Sequence, residues 1–303
     1  MKLVMKPTVV IHTNDKQKLG ALVSAYSFRR NSDTPDSFDV RIVNASEFPE
    51  LQEGGHSLIR GGHVREWDGD DLQSFTPLRF AIPGLLGYEG LALVTDPDVF
   101  AVGDVAELFS RDLEGKAIFC TPRPGYHKIT DPLATSVMLL DCARLKHWRL
   151  ADDLEALFAH RIDYLDWINL KLEDLGTIGL LEPEWNDFDH LSPSTKLLHN
   201  TKRRTQPWKT GLPIDFTLKE RGFLNFALPI VRKLAPNYTR HPDQRQEAYF
   251  YALLAEALER GAVTRDEVEK EVRLGHVRPD SEDLIERYRG QPWPTLARAQ
   301  RAA

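Results

Sequence analysis

The sequence predicts an α/β protein with a mixed, mostly parallel sheet flanked by helices, and three observations lead there. A β-branched apolar run, Thr8-Val9-Val10-Ile11-His12-Thr13, stops at polar Asn14-Asp15, as a strand buried on both faces does. A helical stretch over residues 18–30 follows, and residues 38–43 alternate as a second strand. Strand, helix and strand within about 35 residues make a βαβ unit, whose strands are parallel. Farther on, Gly90-Leu91-Ala92-Leu93-Val94 reads as a central strand that delivers Thr95-Asp96-Pro97-Asp98 at its carboxyl end.

The elements follow in order. Leu19, Leu22, Val23 and Tyr26 give the first helix an apolar stripe at helical spacing. Residues 31–37 form a polar turn. Residues 44–71 read as a loop holding two Gly-Gly-His triplets, which end in His56 and His63, and the acidic run Asp68-Gly69-Asp70-Asp71. Residues 72–86 look helical in part, with Pro83 ending or kinking the helix. A short helix is expected over 103–109, strands over 116–120 and 135–140, and helices over 143–148 and 150–160. A second, charged and helical part opens near residue 217, with its best amphipathic stretch at 244–259. Thr264 and Glu267 have the spacing of a capping box, and Pro279, Pro292 and Pro294 mark a fraying end. The expected division is an α/β domain over residues 1–216 and a helical carboxyl-terminal region over 217–303.

Composition excludes several classes. The chain has 303 residues, 42% hydrophobic and 28% charged, which is neither a disordered nor a fibrous composition. With 39 basic against 45 acidic side chains, a net charge of −6 argues against wholesale nucleic-acid binding. Two cysteines, Cys120 and Cys142, are too few for a disulfide framework and read as core residues of a reducing compartment. No secretory signal opens the sequence, and no run approaches the roughly 20 apolar residues of a membrane span, so a cytoplasmic location is expected. The sequence has no G-x-G-x-x-G fingerprint, no phosphate loop of the G-x-x-x-x-G-K-[ST] type and no G-x-S-x-G nucleophile elbow.

Three segments carry candidate chemistry. Asp96-Pro97-Asp98 follows an apolar strand, where open α/β sheets bind ligands. Two carboxylates there can converge on a hard divalent cation, Mn²⁺ or Mg²⁺, although Asp-Pro-Asp is also good turn chemistry. Residues 194–209 concentrate Lys202, Arg203, Arg204 and Lys209 beside His199. Such a run suits a pyrophosphate, and a neutral imidazole can supply a third metal ligand; a solvated basic loop reads the same way. Trp185-Asn186-Asp187-Phe188-Asp189 offers hydrogen bonds and a flat apolar surface for a hydroxyl-rich ligand, or simply a core tryptophan. His56 and His63 sit in glycine loops, which are poor at fixing metal ligands.

Taken together, these pieces resemble the GT-A-fold glycosyltransferases, especially glycosyltransferase family 8 and its bacterial relatives, over residues 8–211. The segment from Ser74-Phe75-Thr76-Pro77-Leu78-Arg79-Phe80 through Gly87-Tyr88-Glu89-Gly90 to Asp96-Pro97-Asp98 is similar to the family block F-T-x-x-R-F … P … G-Y-x-G-x-A-x-x-x-D-x-D. Residues 134–140, with Ser136 at the third position, resemble its S-S-V-M-L strand. Residues 178–186, ending in Trp185-Asn186, look like I-G-x-L-P-x-x-W-N, and His199 through Pro207-Trp208 resembles H-x-x-G-x-x-P-W.

The resemblance implies a GT-A-like (Rossmann-like) fold and a metal-dependent glycosyltransferase. It would move a sugar from a nucleotide-diphosphate donor, UDP above all, to a hydroxyl acceptor with retention. Asp96, Asp98 and His199 would hold Mn²⁺ or Mg²⁺. Thr13, Asn14 and Asp15 would meet the nucleotide, and Arg79 the pyrophosphate or donor sugar, with Thr95, Ser136 and Trp185 also on the donor side. Lys202 and Lys209 would close over the phosphates, while Asp163, Asp166 and Asn186 would position the sugar. The carboxyl-terminal helices are expected to serve acceptor binding, packing or homo-oligomerisation. A sugar nucleotidyltransferase and a non-catalytic nucleotide-sugar-binding scaffold are the alternatives. The first would open with a glycine-rich phosphate loop, which His12-Thr13-Asn14-Asp15 is not; the two carboxylates and His199 weigh against the second.

Overall fold

The computed structural model describes residues 5–216 and 237–291. Its strands are β1 (Thr8–Thr13), β2 (Asp39–Asn44), β3 (Ser57–Arg60), β4 (His63–Glu66), β5 (Leu91–Thr95), β6 (Val99–Ala101), β7 (Ile118–Pro122), β8 (Leu133–Asp141), β9 (Ile178–Leu180), β10 (Asp187–Phe188) and β11 (Leu197–His199). Its helices are α1 (Lys18–Arg30), α2 (Pro49–Gln52), α3 (Ile82–Leu85), α4 (Ala106–Phe109), α5 (Leu150–Phe158), α6 (Tyr164–Ile168), α7 (Gln244–Glu259), α8 (Arg265–Arg273) and α9 (Ser281–Tyr288).

Six strands form the main sheet in the order β2-β1-β5-β8-β7-β9. All neighbours are parallel except β8, which runs antiparallel to β5 and β7. The sheet is therefore mixed and mostly parallel, as expected. β1 is buried along its whole length because β2 and β5 flank it and apolar layers cover both faces. Successive side chains alternate between those layers. Val10, Val94 and Met138 face a core built with Phe80, Trp148 and Trp167, while Val9, Ile11 and Leu93 face one built with Phe28 and Phe38.

The orientation of β8 has a consequence for the site. β1, β5 and β7 all end at one edge of the sheet, and β8 begins there, so Asn14, Asp96 and Ser136 share that edge. A second sheet, β10-β11-β6, stands beside it. The carboxyl-terminal helices share a third apolar layer with the first part of the chain: Tyr249, Phe250 and Leu254 of α7 pack with Leu19 and Val23 of α1 and with Trp208. Among the described residues no helix is long and apolar enough to cross a membrane.

Several expectations need correction. Residues 44–71 contain the hairpin β3–β4, whose turn is the second glycine pair, Gly61-Gly62, both at positive φ. Residues 143–148 are not an α-helix but a single 3-10 turn, 142–144, followed by irregular chain. Pro83 opens α3 instead of ending a helix, since a proline in the first turn loses no intrahelical bond. Pro279 precedes a further helix, α9, and does not mark a fraying end; Pro292 and Pro294 lie outside the described residues.

Candidate metal centre

Strand pairing, rather than a loop alone, brings the candidate ligands together. β5 ends at Thr95; Asp96 N then donates to Ser136 O at 2.9 Å, which fixes the Asp96-Pro97-Asp98 turn against β8. The chain re-enters a strand at Val99, and in the antiparallel register of β6 with β11 Val99 faces His199. His199 thereby stands beside Asp98, about a hundred residues away in sequence. One ligand atom from each of Asp96, Asp98 and His199 lies within 4.8 Å of the other two.

Each of the three side chains is tied to the protein by one atom. Asp96 Oδ1 accepts from Arg79 Nη2 at 2.9 Å and lies 3.0 Å from His12 Nε2. Arg79 is itself held by donating to Thr135 Oγ1, whose hydroxyl donates to Ile168 O at 2.8 Å. Asp98 Oδ2 accepts from Gln206 Nε2 at 2.9 Å, and Gln17 Nε2 donates to Gln206 Oε1 at 3.2 Å. His199 Nδ1 lies 2.8 Å from Asn186 Oδ1, and its Nε2 faces Asp98 Oδ1 at 3.4 Å.

The electrostatics follow from burial and these partners. Burial alone would raise the Asp96 carboxyl, but Arg79 and then His12 outweigh it and hold it below the ordinary carboxylate value. Burial pulls the His12 imidazole below its ordinary value, more than its contact with Asp96 raises it. For His199 burial again pulls down, yet Asp98, with Asp96 and Asp189 behind it, pushes the imidazole above its ordinary value. That last direction is informative. With Nδ1–H spent on Asn186, the Nε2 lone pair would meet carboxylate oxygens head on. The gap among the three groups thus calls for a cation, either a proton on Nε2 or a metal ion. Two carboxylates and an imidazole are a fitting donor set for a divalent ion such as Mn²⁺, which takes both oxygen and nitrogen ligands.

No protein-family model matches the sequence, and no curated protein matches it. The structure is similar to solved glycosyltransferases. One is the bifunctional glycosyltransferase WbbM in apo form, at TM-score 0.47 and 12% identity over 69% of this chain and 47% of that one. Another is the apo glycosyltransferase GlyE of Streptococcus pneumoniae TIGR4, at TM-score 0.48 and 17% identity over 85% of this chain and 64% of that one. A third is the galactosyltransferase LgtC, solved with donor and acceptor sugar analogs, at TM-score 0.45 and 14% identity over 79% of this chain and 99% of that one. The chain thus spans about half the length of WbbM and somewhat less than two thirds of GlyE.

The other sequence-derived residues fall into distinct places. Thr13 is buried at the end of β1 with its hydroxyl on Asn14 O at 3.1 Å. Asn14 Nδ2 holds the 71–74 segment, reaching Asp71 O and Leu72 O at 3.2 Å and Ser74 Oγ at 3.1 Å, while its Oδ1 is buried without a hydrogen-bond partner. Asp15 is exposed and accepts from Asn44 Nδ2 at 2.8 Å. Thr95 Oγ1 is buried and unpartnered. Ser136 Oγ accepts from Asn186 Nδ2 at 3.1 Å and lies 3.3 Å from His199 Nδ1. Trp185 packs in the core with Ile11 and Leu181, under Lys196.

Some candidates are engaged elsewhere. Asp163 caps α6 through Leu165 N and accepts from Gly61 N and Gly62 N at 3.0 and 2.8 Å, so both its oxygens clamp the β3–β4 turn. Asp166 pairs with Lys171 at 2.7 Å. Lys209 is fully buried, with Nζ 2.6 Å from Asp215 Oδ2. Lys202 has an exposed side chain, and its backbone N donates to the Asp189 carboxylate at 3.1 and 3.2 Å.

Sequence reasoning missed His12, Gln17 and Gln206, and named Arg203 only as part of the basic run over residues 194–209. His12 did carry a signal, being a titratable residue inside an apolar strand. Gln206 carried none, since a glutamine before Pro207-Trp208 is unremarkable until Asp98 stands beside it. Burial pulls the Arg203 guanidinium below its ordinary value, with Asp71 opposing, Arg60 adding to it and Asp98 opposing again. Arg203 is therefore a cation within electrostatic reach of Asp98.

Proposed function

We propose that the chain is a metal-dependent glycosyltransferase that moves a sugar from a UDP-sugar to a hydroxyl acceptor, with retention, using Mn²⁺ or Mg²⁺. The observation that carries this reading is the Asp96, Asp98 and His199 cluster at the carboxyl edge of a mostly parallel sheet, with Arg79 beside it. The likeness of four sequence blocks to the family 8 pattern supports the choice of donor and the stereochemistry.

The chemistry asked of such a site is modest in kind. Breaking the sugar–oxygen bond leaves negative charge on a diphosphate, and whatever stabilises that charge as it grows lowers the barrier. A divalent ion bound by the cluster supplies that stabilisation as a Lewis acid. Asp96 and Asp98 would hold it from one turn, and His199 from the neighbouring strand. Arg79 keeps the Asp96 carboxylate ionised and aimed, and Lys202 and Arg203 are the candidates to add positive charge for the phosphates. Thr13, Asn14 and Asp15, where β1 ends, are the candidates to meet the nucleotide.

The test is nucleotide release. Wild-type protein mixed with a panel of nucleotide sugars and Mn²⁺ should release UDP from one of them, with water as acceptor if no other is supplied. Chelation should stop the release, and Asp98→Ala should cut it by about a hundredfold or more, the order expected for losing a main charge-stabilising group. Equal release by Asp98→Ala refutes the assignment.

A further inference from the structure

The geometry points to Asn186 as a positioning residue of the metal centre: its amide oxygen selects the His199 tautomer that leaves Nε2 free for a cation. This rests on the reading that Asp96, Asp98 and His199 bind a divalent ion. It differs from the sequence-based expectation, which set Asn186 against the donor sugar.

Asn186 is 2% exposed, so its polar atoms must find partners inside the protein. Nδ2 donates to two hydroxyls, Ser136 Oγ at 3.1 Å and Thr121 Oγ1 at 3.3 Å. Those two contacts use both amide hydrogens. Oδ1 is then the atom 2.8 Å from His199 Nδ1, and as an acceptor it demands a hydrogen on that nitrogen. A neutral imidazole with Nδ1–H carries its lone pair on Nε2, the atom that faces Asp98.

The reverse orientation gives the opposite result. An amide turned by half a rotation would donate to Nδ1, place the hydrogen on Nε2 and close the ring to a metal. It would also aim Oδ1 at the two hydroxyls, which could turn to donate, so those hydroxyls alone do not decide the matter; the metal-site reading on which this inference rests does, because a metal ligand needs the Nε2 lone pair. Ser136 Oγ also approaches Nδ1, at 3.3 Å, but more distantly and while accepting from Asn186. The second partner of a ligating imidazole typically changes metal affinity by about 10- to 100-fold. Asn186 occupies that place.

The experiment follows Mn²⁺ uptake by the full chain, reading free Mn²⁺ by electron paramagnetic resonance in wild type, Asn186→Ala and Asn186→Asp. Alanine should weaken binding by about 10- to 100-fold while the circular dichroism spectrum stays unchanged. Aspartate, which still accepts from Nδ1–H, should bind at or above the wild-type affinity, a rescue that a merely packing role would not give. A folded Asn186→Ala that binds as tightly as wild type overturns the inference, and so does a folded Asn186→Asp that fails to bind. Nitrogen-15 spectra of the Mg²⁺-loaded wild type give an independent reading that needs no variant. A hydrogen on His199 Nδ1 supports the inference, and one on Nε2 overturns it. Absence of any Mn²⁺ uptake by wild type is a different result, which brings down the metal-site reading itself.

Discussion

Replacing Arg79 by methionine tests how the site is held together. The guanidinium and the Asp96 carboxylate are 2.9 Å apart with side chains 5% and 16% exposed, so this is a largely buried pair. Two unit charges at about 4 Å interact by roughly 4 kcal/mol at an effective dielectric of about 20. Removing one partner of such a pair typically costs about 3–5 kcal/mol because the other charge stays buried. His12, 3.0 Å from the same oxygen, remains as a donor and brings the figure to the lower end, about 3 kcal/mol. For a chain of 303 residues that corresponds to a fall in Tm of about 5 °C. The defect should also depend on pH. In wild type, burial and Arg79 hold His12 below its ordinary value, so protonating it costs stability as pH falls below the unfolded value near 6.5. Without Arg79 that penalty shrinks, and a protonated His12 can stand in for the lost cation. The gap between wild type and Arg79→Met should therefore narrow on going from pH 8 to pH 5.5, as read by thermal unfolding followed by circular dichroism. A variant as stable as wild type at pH 8, or a gap that widens on acidification, refutes the reasoning.

Gly20→Ala should disturb the Asp96-Pro97-Asp98 turn from behind, since a Cβ there would lie 2.9 Å from Pro97 O and 3.3 Å from Trp208 Cζ2. The backbone carbonyl between the two aspartates must give way, at a cost of about 1–3 kcal/mol in stability and with weaker Mn²⁺ uptake; unchanged uptake would show that α1 does not support the turn. Burial pushes the thiols of Cys120 and Cys142 up to about 12, so at pH 8 both are protonated and shielded. Neither should react with a disulfide reagent until the protein is unfolded by guanidinium, and rapid labelling of the native chain would contradict their place in the core.

The parts of the fold legible in the sequence are those whose pattern is set locally. β1 and β5 lie inside the sheet, and a strand covered on both faces must be apolar at nearly every position. α1 shows its stripe because it has a covered and an open side. The hairpin β3–β4 was missed because every residue of β4 is exposed, so no alternation marks it, although a two-residue Gly-Gly turn was there to be read. β6, β10 and β11 are two or three residues long, and their extended conformation comes from pairing with one another. A segment that short has no period.

The same distinction runs through the site. The candidate ligands Asp96, Asp98 and His199 are legible because metal-binding chemistry restricts residue type, and few side chains can do it. The groups that orient them are not so restricted. An arginine, a histidine, a glutamine and an asparagine each act locally, occupying one atom of a ligand and leaving another to face the gap. Many residue types could do that from many positions, so spacing alone marks none of them; Arg79 and Asn186 become candidates only through the family resemblance, and His12 stands out only as a titratable residue in an apolar strand. Yet they decide whether the site is ready. Two carboxylates and an imidazole left to themselves would rotate away from one another to escape repulsion and regain water. Held by Arg79, Gln206 and Asn186, they keep their free atoms within one ion's reach before any ion arrives. On the proposed function, an ion would bind without reordering these side chains, and the binding energy that rearrangement would consume would remain available for gripping a diphosphate.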